Sequence, residues 1–381
     1  MASIYTMRNR TFITAMSMLL LLQLLCSLQN MDAQSIGVCY GGSGNANNLP
    51  PESEAVSLCK THGIGKMRIY SPYPQILQPL GDSNIELMVG VPKDTFQDLA
   101  DPSAAADWVQ MNVKSYSSNV KLKYIAVGNE LDPTAHFVLP CDSFQRNKKN
   151  NSSNVKFMYI SVGNDIDPTD AAAQFVLPVM QNIYKAIADA GLQNQIKVST
   201  AVSTNLLGVF DPPSAAAFSD KARTFIEPII SFLVSTGAPL LANIYPYFRV
   251  KYNNQSLPYA LFTATDVVVQ DGKLEYRNLF DALMDALYYA IEKINEGSLE
   301  IVVSESGWPS AGGAVETIEN AGTYYRNLVN HVKGGTPKRP GKAIETYLLG
   351  LFDENLKEKD VDRHFGLFYG NKTAKYSMSF T

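Results

Sequence analysis

Short β-rich runs alternate with longer amphipathic stretches along this chain, and that alternation restricts it to a parallel sheet with helices packed on it. Strands are expected at 36–41, 65–71, 85–92, 123–129, 158–164, 196–202, 240–248, 300–306 and 345–354. Several are almost wholly apolar, as strands covered on both faces require. Helices are expected at 101–116, 171–190, 222–234, 276–295 and 317–332, the last four with apolar residues three and four apart. Asp101-Pro102 is a sound cap and first-turn pair. Gly191, Gly237 and Gly297 stand where a left-handed residue would end a helix. No glycine-rich dinucleotide loop follows the first strand, so a closed (β/α)8 TIM barrel is favoured over an open doubly wound sheet.

Such a barrel needs eight strands, and the chain offers nine. The surplus has a visible origin. The run SSNVKLKYIAVGNELDPT (117–134) returns 35 residues later as SSNVKFMYISVGNDIDPT (152–169), and FVLP at 137–140 returns at 175–178. The join, CDSFQRNKKNN (141–151), is polar and leaves no room for a crossover helix. One copy of this duplicated strand-four segment must therefore lie outside the barrel. Copy one is expected to fill the position because its VGNE is intact, although copy two leads directly into the next helix.

Arg8 and Arg10, an apolar run at 13–25 and the small residue in Asp32-Ala33-Gln34 read as a secretory signal peptide over 1–33. Its apolar run is too short to remain as a membrane anchor. One domain over 34–381 is then expected, secreted to the apoplast or vacuole, monomeric, and without a lipid-anchored tail. With 46% hydrophobic and 18% charged residues, the composition excludes a disordered chain. A net charge of −4 argues against nucleic acid or an anionic membrane as partner, and leaves a neutral polysaccharide open. Cys26 falls in the leader, and the odd remainder, Cys39, Cys59 and Cys141, reads as free or buried thiols. Asn150, Asn151, Asn254 and Asn371 each begin a glycosylation sequon. The four histidines are scattered, and neither a metal nor an organic cofactor is expected.

Tyr40, Tyr70, Asn129, Glu130, Tyr245, Glu305, Asp353 and Glu354 fall at the C-terminal ends of expected strands, where a barrel of this kind places its site. A lone glutamate there is usually a cap or a surface ion pair. Two of them across one cleft, Glu130 and Glu305, can divide the work of cleaving a glycosidic bond. Tyr245, Phe248 and Trp308 offer flat apolar faces to sugar rings, with core packing as the plainer alternative.

The segments VGNE (127–130) and VVSESGWPS (302–310) resemble those of the plant β-1,3-glucanases of glycoside hydrolase family 17. GVCYG (37–41), NNLPP (47–51), MRIY (67–70), FVLPVMQNIYKAI (175–187), NIYPYF (243–248) and FDENLK (352–357) extend the resemblance over nearly the whole chain beyond the leader. It implies a retaining hydrolase of callose- or laminarin-type β-glucan, with Glu305 as nucleophile and Glu130 as acid/base. It also implies that Tyr70, Glu354 and Lys357 line or support the cleft. On this view Glu354 is a candidate negative neighbour for the acid, and Lys357 a candidate charge that keeps Glu305 ionised. The duplication places Asp165 at the second copy's glutamate position. This leaves two other readings: a weakly active or inactive glucan-binding protein, or an enzyme for mixed 1,3-1,4-β-glucan.

Overall fold

Nine strands form one parallel sheet that closes on itself. They are β1 (Ile36–Tyr40), β2 (Lys66–Ile69), β3 (Glu86–Val91), β4 (Lys121–Val127), β5 (Lys197–Ser199), β6 (Ala201–Ser203), β7 (Leu240–Asn243), β8 (Ile301–Ser306) and β9 (Thr346–Leu348). This computed structural model describes residues 36–44, 46–128, 171–294 and 299–380. The expected leader, the strand at 158–164, Asn129, Glu130, Cys141, Asn150, Asn151, Asp165 and Gly297 lie outside those residues.

The sheet runs β5-β4-β3-β2-β1-β9-β8-β7-β6. Its two ends are halves of a single strand interrupted at Thr200: β5 pairs with β4, and β6 pairs with β7. The nine segments therefore make eight staves, the (β/α)8 barrel expected. Position four belongs to the first copy of the duplicated segment. Its strand, β4, is paired on one side with β3 from Glu86↔Lys121 to Val91↔Val127, and on the other with β5. Among the described residues every stave of the ring is paired on both sides.

Ten helices are described: α1 (Glu52–Thr61), α2 (Pro74–Leu80), α3 (Phe96–Leu99), α4 (Pro102–Val109), α5 (Ala173–Asp189), α6 (Asp220–Thr236), α7 (Pro246–Asn253), α8 (Leu257–Ala260), α9 (Leu279–Glu292) and α10 (Ile318–His331). Asp101 caps α4 as expected, its carboxylate accepting from the N–H groups of Ser103 (2.9 Å) and Ala104 (3.1 Å). Past Val109 the same stretch continues as a π turn, Gln110–Lys114. Gly237 ends α6 at φ 61°, the left-handed conformation that glycine adopts at least cost. The expected strand at 240–248 stops at Asn243. Pro246 lacks the N–H a ladder needs, yet suits the first turn of α7. The last strand keeps only Thr346–Leu348 of the expected 345–354. Beyond it the Leu351 N–H bonds the Cys39 carbonyl, and the chain runs on as an irregular strap.

Apolar faces of the strands (Val38, Met67, Val89, Ile125) meet those of the helices (Val176, Ile183, Ile226, Leu287, Leu328) in one continuous core. The barrel interior is layered. At its N-terminal end Lys66 contacts Glu86 (2.6 Å) and Glu345 (3.4 Å), while Lys123 contacts the same two carboxylates at 3.1 and 2.8 Å. Burial works against the charge on Glu86, but Lys66 and Lys123 prevail and hold it down at about 2. Above lie Met88, Tyr124, Leu241, Val302 and Tyr347. Gly37 of β1 leaves space for that layer, since a Cβ there would stand 2.6 Å from Cδ1 of Tyr347. Cys39 and Cys59 are buried free thiols, as expected.

Outside the barrel, Asp285 of α9 is fully buried and accepts from the Tyr276 hydroxyl and the Lys338 N–H, both at 3.0 Å. Burial pushes its pKa up to about 6 against the pull of those donors and Thr336. A carboxyl raised on folding favours the folded state below its unfolded pKa, and that advantage fades as pH rises through the folded value. Asp285→Asn is therefore expected to gain on the wild type between pH 4 and pH 7, by up to about 3 kcal/mol. Urea denaturation at both pH values measures the difference.

Candidate active site

The centre is Glu305, which a β-bulge turns inward. Val302 faces the barrel interior and Val303 the helices, so strict alternation would send Glu305 outward. The register of β8 shifts against β7 between Val303 and Glu305, and against β9 between Val303 and Ser306. Such a shift re-aims the side chains beyond it. The carboxylate is consequently 1% exposed.

Three groups grip it. The Tyr70 hydroxyl donates to Oε1 at 2.6 Å, the Tyr245 hydroxyl donates to Oε2 at 2.8 Å, and Nη1 of Arg68 stands 3.1 Å from Oε1. Burial, reinforced by neighbouring acidic groups including Glu305, holds both phenols well above their ordinary pKa, so each remains a donor. Arg68 is itself fully buried on β2 and also donates to the Ser304 carbonyl (2.9 Å) and to Oδ1 of Asn243 (3.4 Å). Burial opposes the guanidinium's charge most strongly, but Glu305 together with Tyr70, Cys39 and Tyr245 outweighs it and leaves the pKa raised. Both oxygens of Glu305 are thus fixed in direction, with the counter-charge a buried carboxylate needs.

Tyr70 and Tyr245 are where the sequence placed them; the other expected residues divide. Asn129 and Glu130 lie outside the described residues, but β4, which leads into them, ends on the same face as β8. Glu354 is half-buried and paired with Lys357 at 3.3 Å. The cation beside Glu305 is therefore Arg68, a correction to the role expected of Lys357. Phe248 keeps a partly open face at 5.1 Å from the Tyr245 ring, and Tyr252 stacks on it at 6.1 Å, nearly parallel. Trp308 has no face for a sugar. It is 0% exposed, donates from Nε1 to the Val315 carbonyl (2.9 Å), and packs against Tyr247 and Tyr324. Two further strand-end residues serve elsewhere. Tyr40 shares the outward parity of Val38, and Asp353 is tied to Lys375 at 2.6 Å. Arg68 was missed, although a charge in the middle of the buried strand KMRI, flanked by Met67 and Ile69, was its visible signal.

Sequence comparison matches residues 36–147 and 141–380 to the model of glycosyl hydrolases family 17, the two pieces meeting inside the duplicated segment. The chain belongs to that family. It is a glycoside hydrolase. A glucan endo-1,3-beta-glucosidase of Vitis vinifera is 52% identical over 378 residues, covering 98% of this chain and 99% of the relative. The acidic isoform GI9 of the enzyme of that name from Nicotiana tabacum is 47% identical, covering 94% of each. Among solved structures, one of two plant beta-glucan endohydrolases with distinct substrate specificities superposes with TM-score 0.77 at 42% identity, over 90% of this chain and 99% of that one. A beta-1,3-glucanase and allergen of Cryptomeria japonica pollen gives 0.78 at 40% identity, over 91% and 99%.

Arg68→Met would leave the Glu305 carboxylate buried without a cation, at an expected cost of about 3–5 kcal/mol of folding stability. Combined with Glu305→Gln, the loss should be smaller than the sum of the two single changes. A double-mutant cycle by urea denaturation checks both statements.

Proposed function

We propose that this family 17 hydrolase is a retaining endo-β-1,3-glucanase, with Glu305 as nucleophile and Glu130 as general acid/base. The observation that carries the reading is the grip on Glu305: a carboxylate held by Arg68, Tyr70 and Tyr245 at the C-terminal mouth of a barrel. The names of the Vitis and Nicotiana relatives supply the substrate class.

Retention proceeds in two displacements. Glu130 gives its proton to the glycosidic oxygen as a Glu305 oxygen attacks the anomeric carbon. The bond to the leaving sugar breaks, and a glycosyl ester forms on Glu305. Glu130, now ionised, takes a proton from water, whose oxygen attacks the same carbon and returns Glu305 as a carboxylate. The two phenols and the guanidinium keep the attacking oxygen in place through both steps, which limits the reorganisation each step requires. Phe248 offers a ring face to the sugars beside the scissile bond, and Tyr245 meets the site through the hydroxyl it gives to Glu305. Glu354, braced by Lys357, supports the cleft from the segment after β9.

That β4 comes from the first copy favours Glu130 over Asp165, whose carboxylate would be set back by one C–C bond. The glucan-binding reading without catalysis keeps only Asp165 in its favour. The mixed-linkage reading is separated by comparing rates on laminarin and on barley-type glucan. No helix among the described residues is long and apolar enough to cross a membrane. We assign residues 1–33 as the leader that takes a monomeric domain, 34–381, to the apoplast or vacuole; the Nicotiana relatives include a basic vacuolar isoform.

In purified protein, Glu305→Gln is expected to abolish reducing-sugar release from laminarin. Glu130→Gln should lower it by roughly 100-fold or more, the scale of general acid/base catalysis. Asp165→Asn should leave it near wild type. A Glu130→Gln enzyme as active as wild type would overturn the assignment of the acid.

A further inference from the structure

A cavity of about 310 Å³ lies between the ends of β1 and β2 and the helices α1 and α2. Tyr40, Gly42, Glu52, Tyr73 and Gln75 are among its lining residues. Because parallel strands end together, it stands on the same face as Glu305. Ile69 lines it, and the next residue is Tyr70, which bonds the Glu305 carboxylate.

The outward turn of Tyr40 brings its side chain here. The residue is 4% exposed, and its hydroxyl is buried with no hydrogen-bond partner among the described residues. A buried, unpaired hydroxyl costs free energy comparable to a lost hydrogen bond, and such groups are rare unless something else satisfies them. Burial, then the charges of Glu52 and Glu354, raises its pKa, so the phenol is a standing donor. Its ring is held edge-on by Phe352 at 6.3 Å, which restricts where that donor can point.

The remaining lining sets the chemistry of what would fit. Among the described residues that line it, Glu52 is the single charged group and there is no cation to receive a phosphate or a carboxylate. Tyr73, at the start of α2, is 47% exposed and presents a flat apolar face to solvent beside the amide of Gln75. A donor, an acceptor, an amide and an open aromatic ring suit a neutral polyhydroxylated ring. The volume is at the small end of ligand clefts, which run from about 300 to 1,000 Å³, so it suits one ring and not a chain. At Gly42 the backbone has φ +70°, a turn that other residues adopt only under strain, and it keeps this wall free of a side chain.

We propose that this cavity is an accessory glucosyl pocket, in which one sugar of the glucan is held away from the scissile bond by Tyr40, Glu52, Gln75 and Tyr73. It rests on the glucan reading of the main cleft. Its consequence is a gain in affinity for longer chains that the cleft residues alone do not provide.

The test uses laminaribiose to laminarihexaose, titrated calorimetrically into the Glu305→Gln protein with and without a pocket substitution. Tyr73→Ala is expected to weaken the longest oligosaccharide by about tenfold, and Tyr40→Phe by a smaller factor, with laminaribiose unchanged in both. Tyr40→Phe should also retain or raise Tm, since it removes only the unpaired hydroxyl. If wild type hydrolyses laminarin while Tyr73→Ala, Glu52→Gln and Tyr40→Phe bind every length like Glu305→Gln alone, the pocket is wrong and the cleft reading stands. If wild type releases no sugar and Glu305→Gln binds no oligosaccharide, the cleft reading fails and the pocket falls with it.

Discussion

A carboxylate and a guanidinium, both almost wholly withdrawn from water, meet at the mouth of the barrel. The Glu305–Arg68 contact brings together residues of β8 and β2, three staves apart around the ring. Either charge alone would be costly to bury, by several kcal/mol per ion, and so each requires the other. The surrounding structure follows from that need. Asn243 accepts from both Arg68 and Ser304, the Ser304 carbonyl takes a second bond from Arg68, and two phenols complete the carboxylate. The bulge in β8 is what places Glu305 within this cage.

Charge is confined to the two ends of the barrel. At the N-terminal end, Lys66, Lys123, Glu86 and Glu345 alternate in sign, and each contacts neighbours of opposite charge. Between that cluster and the site lies an apolar layer with Tyr124 and Tyr347, whose hydroxyls turn down to Glu345. The division is what burial demands: charged groups sit where they find partners, and the middle of the barrel is filled by apolar groups and by two phenols that reach Glu345. A rigid floor of this kind keeps the cage above it from sagging, because close-packed interiors transmit displacement instead of absorbing it.

The duplicated segment shows how local the closure of a barrel is. Each stave is held by its two neighbours, so β4 needs only β3 and β5 to take its place, whatever intervenes along the chain. An insertion between elements adds only a slowly growing entropy cost, which a complete ring of parallel pairing can withstand. The repeat therefore alters the connection after β4 and leaves the ring of eight staves intact.

Much of this protein was determined by local sequence. The alternation of strands and helices, the Asp101 cap, the glycine end of α6, and the fall of Tyr70, Tyr245 and Glu305 near strand ends all follow from local pattern and residue type over short windows. Tertiary structure alone decided which side of a strand each residue occupies once a bulge intervenes, and which charge meets which. Arg68 finds Glu305, not Lys357; Trp308 is sealed against Tyr247 and Tyr324; Tyr40 turns away from the cleft. The reason is physical. Tyr70 and Glu305 are 235 residues apart, and contacts of that span depend on strand register and packing, which no short window of sequence contains.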